Sequence, residues 1–274
     1  MVNKSKLMEN LTDLPRVDAD TIKFYSGLVD RNGMEVLFPD LSAGCINFGY
    51  WNKIPPKISK SARLSSQIRL YEEVISFLEV SKHQSVLEVG CGRGHGVQML
   101  LNSNIDSFGI DAVPSQISVC RKNYPKEADR FIQGYAGSIP FPDDNFHGII
   151  SVEAAQHFPN FSDFAKESYR ILRKNGALVV STFFYTGFFP NPMINGILPE
   201  NVLGSHHAIG IEQAKEILNT YGFSKISVHS IGNHVFKGFC TWAKQQKPET
   251  EHSCRWIEAF ESELLDYYII KCNK

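Results

Sequence analysis

The run Ser85-Val-Leu-Glu-Val-Gly-Cys-Gly-Arg-Gly-His-Gly96 constrains this chain more than any other stretch. Ser85 to Val89 is short, apolar and β-branched, which suits a buried strand, and Gly90, Gly92, Gly94 and Gly96 then permit a tight turn. Val97, Leu100 and Leu101 recur at helical spacing with no interrupting proline, so a helix follows. Strand, glycine turn and helix open a βαβ nucleotide-binding unit. Spacing tests which nucleotide it serves. A dinucleotide fingerprint needs glycines at its first, third and sixth places, but counting from Gly90 the sixth is His95, and counting from Gly92 it is Val97. A phosphate-binding P-loop needs Gly-Lys-Ser/Thr after its spacer, and no lysine follows these glycines. What remains is acidic-x-Gly-x-Gly-x-Gly, with Glu88 as the acid.

Ser107-Phe-Gly-Ile-Asp111 reads as a second strand ending in a carboxylate, about twenty residues beyond the first glycine. Such an aspartate is placed to accept ribose hydroxyls, or is a turn residue. Pro114 suits the first turn of a following helix with Ile117, Cys120 and Tyr124 on its inner face, and Gln116 in that first turn is a cofactor-side candidate. With Glu88 to Gly96 and Asp111 in register, the chain resembles the class I S-adenosylmethionine-dependent methyltransferases, of the small-molecule type that includes sugar O-methyltransferases and phthiotriolone/phenolphthiodiolone-type enzymes. The resemblance implies S-adenosyl-L-methionine as cofactor and S-adenosyl-L-homocysteine as product. It gives cofactor roles to Glu88, Gly90, Gly92, Gly94 and Asp111. Bare main chain admits the amino-acid end of that cofactor, and a helix start favours its carboxylate.

Further segments carry the resemblance. Gly134-Tyr-Ala-Gly-Ser-Ile-Pro-Phe141 looks like the family's adenine site, with Tyr135 where the family has an acid. The main chain of Ala136 and Gly137 keeps its implied role against the base. Ser151-Val-Glu-Ala-Ala-Gln-His-Phe-Pro159 lacks the Asn/Asp-Pro-Pro-aromatic signature of enzymes that methylate base nitrogens or glutamine amides. It looks like the small-molecule group, in which a histidine at the position of His157 takes the proton from an acceptor hydroxyl. An ordinary histidine titrates near 6.5, which suits such a base, and the alternative is a histidine that caps the next helix or braces the cofactor loop. Glu153 orients the cofactor or a lid on this reading, and His147 is structural.

Before the core, Cys45-Ile-Asn-Phe-Gly-Tyr-Trp51 is an aromatic cluster without strand alternation. By residue type it is a local hydrophobic plug. By resemblance it lies over the cofactor, with Tyr50 and Trp51 shielding the sulfonium, Tyr25 a further candidate for the same lid, and Tyr50 also on the acceptor side. Beyond the fifth strand, the apolar loop that includes Tyr185 and Phe188 suggests a wall for a hydrophobic acceptor. His206-His207 lacks the companions that a metal would need.

Alternation of elements predicts an α/β fold. Ala62 to Val80 is an amphipathic helix, Arg130 to Tyr135 a third strand, Gly148 to Glu153 a fourth, Ser162 to Arg173 a helix and Ala177 to Phe184 a fifth strand. A helix through Ile211 to Tyr221, a strand over Phe223 to His229, a helix face at Trp256, Phe260 and Leu264, and a strand over Tyr267 to Cys272 complete the chain. The resemblance implies a Rossmann-like seven-stranded, mostly parallel sheet with helices on both faces, its last strand antiparallel between the fifth and sixth. Residues 1–60 are expected to form an N-terminal helical cap or lid and 61–274 the methyltransferase domain, with 185–209 as a substrate-side insertion.

Composition bounds partners. A net charge of −1 with no basic cluster argues against nucleic acid, and no run is long and apolar enough for a membrane span. Six cysteines without a Cys-x-x-Cys pair suit reduced thiols in a cytoplasmic protein. The expected activity is methyl transfer to a small, rather apolar acceptor at a hydroxyl oxygen, by a monomer or homodimer. Carbon methylation of a quinone- or isoprenoid-like acceptor and a non-catalytic cofactor-binding module are the alternatives.

Overall fold

A computed structural model describes residues 45–187, 194, 197, 198, 207–246 and 252–274. Its centre is a seven-stranded sheet of order β3-β2-β1-β4-β5-β7-β6. The strands are β1 (Ser85–Val89), β2 (Asp106–Asp111), β3 (Phe131–Gln133), β4 (Phe146–Val152), β5 (Leu172–Tyr185), β6 (Ser224–Ser230) and β7 (Leu265–Asn273). β7 is antiparallel to both β5 and β6, and the other pairings are parallel. Adjacent residues along a strand face opposite sides, so each central strand feeds two cores. Val86, Ile150, Val179 and Ile269 enter one core, whereas Leu87, Ile149, Leu178 and Ile270 enter the other.

Helices α1 (Lys60–Ser76), α6 (Gly232–Gln246) and α7 (His252–Glu261) cover the first face. Helices α4 (Phe161–Ile171) and α5 (Ile211–Thr220) cover the second. Between them in sequence, α2 (His95–Asn102) and α3 (Pro114–Asn123) pack Val97, Ile117 and Cys120 with Phe131 near the β3 edge. Among the described residues no helix is long and apolar enough to cross a membrane.

The expected elements are present with shifted ends. α1 begins at Lys60, where the Ser59 hydroxyl caps it by accepting from the Ala62 N–H, and stops at Ser76 rather than Val80. β3 covers only Phe131–Gln133, because Gly134 and Tyr135 turn back toward Ser138. The helix α6 was not among the expected elements, although Val235, Phe236, Phe239 and Trp242 repeat at helical spacing and are all buried.

That helix decides the fate of the aromatic segment before the core. Phe48 stacks on Phe239 with ring centres 4.0 Å apart, and Trp51 lies against Gly238, where a Cβ atom would come within 2.3 Å of the indole. The Trp51 N–H donates to His234 O at 2.7 Å, and Tyr50 stacks on the His234 ring at 4.5 Å. Arg63, buried in α1, donates to Asn47 O at 2.6 Å and Phe48 O at 2.7 Å while its guanidinium sits over Trp242. Trp51 and Tyr50 therefore pack against the α1–α6 layer. Tyr25 and Phe188 lie outside the described residues, as do most of residues 1–60 and 185–209. Replacement of Trp51 by alanine is expected to cost about 3–5 kcal/mol in chemical denaturation, the usual range for a large buried aromatic.

Candidate active site

The glycine turn is held open from below. Gly90 and Cys91 both donate their N–H groups to Ile110 O at 2.9 Å, which draws the turn across the end of β2. Gly92 donates its N–H to Asp111 Oδ2 at 2.9 Å, and the Val113 N–H takes Oδ1 at the same distance. The Cys120 thiol donates to Gly92 O at 3.0 Å. Gly90 has φ +79°, and a Cβ there would meet the Ala154 Cβ at 2.3 Å, so β1 and the loop after β4 touch main chain to side chain. Gly92 has φ +50°, and a Cβ there would point into open space.

This space belongs to a cavity at the carboxyl ends of β1, β2 and β4, where ligands of open α/β sheets bind. It collects Gly90, Gly92, Asp111, Gln116, Ala136, Gly137, Glu153 and His157, eight of the residues singled out in the sequence. Tyr135 is on the wall with them. Gly94 is not: at φ +82° it starts α2, and a Cβ there would strike the Phe131 ring at 2.6 Å. Tyr185 is also absent from the wall, being buried in the sheet core where its N–H donates to Ile209 O. The wall adds Ile46, Tyr71, Cys91, Arg93, Phe158, Asn160 and Asp163, none of which had been given a role at the site from sequence.

Glu88 sits beneath the loop rather than on the cavity wall. Fully buried, its carboxyl oxygens are 2.6 and 2.7 Å from where a Gly96 Cβ would be, so only glycine at the helix start leaves room for the acid. Burial pushes its pKa up to about 8, while the Tyr71 hydroxyl and the Val97 N–H pull the other way. Asp111 is pushed up to about 6 by burial against the opposing hydrogen bonds of Val113 and Gly92.

At the end of β4, Glu153 has φ +50°, a conformation that costs a non-glycine residue about 1–3 kcal/mol. Its own N–H donates to Ser181 O at 2.6 Å, and its Oε2 accepts from the Phe48 N–H at 2.8 Å and the Tyr267 hydroxyl at 2.9 Å. Burial pushes it up to about 7. The next turn, Ala155–His157, is braced from behind by Gln156, whose Nε2 donates to Glu153 O and whose Oε1 accepts from the Thr182 hydroxyl. His207, read in sequence as half of a histidine pair, donates its N–H to Gln156 O at 2.6 Å. His147 is remote from this turn and accepts from the Ser85 N–H. Among the described residues no group of His, Cys, Asp and Glu converges as a metal site.

Comparison with known proteins agrees with this arrangement. Residues 87–180, from β1 into β5, match the family model described as a methyltransferase domain. This stretch is therefore similar to a methyltransferase domain. A fatty-acid O-methyltransferase of Mycolicibacterium smegmatis is 34% identical over 150 residues, 53% of each chain. A phthiotriol/phenolphthiotriol dimycocerosates methyltransferase of Mycobacterium leprae is 31% identical over 115 residues, 41% of this chain and 42% of that one. The chain thus spans about half the length, or less, of these relatives. The geranyl diphosphate C-methyltransferase of Streptomyces coelicolor A3(2) has the same fold, with a TM-score of 0.78 over 94% of this chain and 99% of that one, at 12% identity. The shared fold therefore extends beyond residues 87–180 through β6 and β7.

The buried acid Glu88 has a consequence for stability. Between pH 4.5 and about 8 the unfolded chain has released the Glu88 proton while the folded chain retains it, so folding stability falls as pH rises through that window. Glu88→Gln removes this one contribution. The melting temperature of the wild type relative to that of Glu88→Gln is expected to drop between about pH 5 and about pH 8 in scanning calorimetry.

Proposed function

We propose that this chain is a methyltransferase that uses S-adenosyl-L-methionine and acts on a small, rather apolar molecule at a hydroxyl oxygen. The observation that carries the reading is that the bare loop at Gly90 to Gly92, Asp111, Ala136, Gly137 and His157 line one cavity. The residues present fit the cofactor. Each oxygen of Asp111 already accepts one N–H and retains a lone pair for a ribose hydroxyl, and the open space over Gly92 admits a ligand to the main chain. The start of α2 beside the loop favours the amino-acid carboxylate. When bound, the cofactor supplies a methyl group on a positively charged sulfur.

The chain's own part is to hold, orient and keep dry. Ile46, Val152, Ala154, Phe158 and Pro159 give the cavity apolar walls, which exclude water and suit an apolar acceptor. The turn that carries His157 is fixed by Gln156, so its ring is presented from a rigid support to take the acceptor's proton. The fatty-acid O-methyltransferase among the relatives supports an oxygen acceptor on an apolar molecule. All groups given a role lie in one chain, so a monomer or homodimer suffices. Carbon methylation is the second reading, favoured by Glu153, a carboxyl on the same wall that burial brings to about 7 and so to the range of a general base. Mass fragmentation of the product separates the two, since only oxygen methylation adds a methoxy group.

Gly92→Val fills the open space above the loop and is expected to weaken S-adenosylhomocysteine binding by about 100-fold in calorimetry. Unchanged affinity would remove the loop from the cofactor site. His157→Ala is expected to lower turnover about 100-fold or more with cofactor affinity intact, and undiminished turnover would exclude it as the base.

A further inference from the structure

Besides Asp111 and the glycine loop, the cavity is lined by Tyr135, Ala136, Gly137, Asn160 and Asp163. Here the loop after β3 and the first turn of α4 come together. A Cβ on Gly137 would lie 3.1 Å from the Asp163 Cβ and 3.8 Å from its Oδ2, so the carboxylate stands beside the half-buried Gly137. The N–H groups of Ala136 and Gly137 have no acceptor among the described residues, and the Asp163 carboxylate has no donor among them. The neighbouring Asn160 is otherwise engaged: its Oδ1 accepts from the Ser162 N–H as the cap of α4. The other two carboxylates of the wall also have partners, Asp111 in Gly92 and Val113, and Glu153 in Phe48 and Tyr267.

The chain therefore offers a ligand edge two adjacent features here, a main-chain donor and a side-chain acceptor. Adenine presents the complement, a ring nitrogen that accepts beside an exocyclic amine that donates. Hypoxanthine presents the reverse, a ring N–H beside a carbonyl oxygen. We propose that Asp163 is the specificity-determining residue for the base of the cofactor: its carboxylate accepts from the adenine amine while the Ala136–Gly137 main chain donates to the ring. The assignment rests on the cofactor reading above and adds the residue that selects adenine. It also accounts for Tyr135 at the loop, since the carboxylate that this edge needs comes from a different element, α4.

Binding of S-adenosylhomocysteine and of its hypoxanthine counterpart, S-inosylhomocysteine, to the full chain tests this by calorimetry. Wild type is expected to favour the adenine ligand by about 10–100-fold, the usual value of a hydrogen bond to a charged group. Asp163→Asn keeps the shape but can donate to the hypoxanthine oxygen, and its preference should shrink by about tenfold. Asp163→Ala, a second variant that only removes the acceptor, should weaken adenine binding and leave hypoxanthine binding level or improved. If both variants retain the wild-type preference, Asp163 is not the selector and the cofactor reading survives. If wild type binds neither ligand, the cofactor reading itself fails and this assignment with it.

Discussion

The fold's functional end depends on the Asp111 carboxylate and the two main-chain N–H groups it accepts. Those bonds tie the glycine loop after β1 to the end of β2, and hydrogen bonds to a charged group contribute about 1.5–3 kcal/mol each. The loop cannot relax into the cavity while Gly90 and Cys91 are also held on Ile110 O, so its upper surface remains bare main chain. A side chain at Gly90 would collide with Ala154, which makes the same loop the contact through which β1 and β4 set their spacing at the site.

Glu153 performs the matching task on the other side. It accepts from the segment that precedes the core, through Phe48, and from β7, through Tyr267, so one carboxylate joins three parts of the chain that are far apart in sequence. The strained backbone at φ +50° is offset by these bonds. Glu88, Asp111 and Glu153 come from β1, β2 and β4, neighbours in the sheet, and burial raises all three. Raised in this way, the three groups hold their protons to higher pH than exposed carboxylates do, so this end of the sheet carries less negative charge than three acids in water would.

Much of this was legible in residue order. The βαβ opening could be read from Ser85 to Gly96 because strand periodicity, glycine spacing and the acid at Asp111 are all local properties of the chain. Gly90, Gly92 and Asp111 fall on the cavity because such loops leave the sheet at the carboxyl ends of strands. The helix α6 had its signal in Val235, Phe236, Phe239 and Trp242, and that helix is the partner that draws Trp51 and Phe48 into the core. Without it, an aromatic cluster before the domain reads as a lid as readily as a plug. Gly94 shows the same limit on a smaller scale: its place in the motif is visible, whereas the Phe131 ring that explains it belongs to another strand.

By itself, then, the sequence determined the order of the elements, the bare loop and the acid that holds it, since these follow from side-chain size, periodicity and backbone freedom within short windows. Only tertiary structure decided which aromatic residues pack and which line the cavity. Asp163 makes the difference plain, being an ordinary acid in the first turn of a helix until α4 brings it beside Gly137. Burial and hydrogen-bond partnership depend on what the remainder of the chain folds against, and no local pattern encodes that.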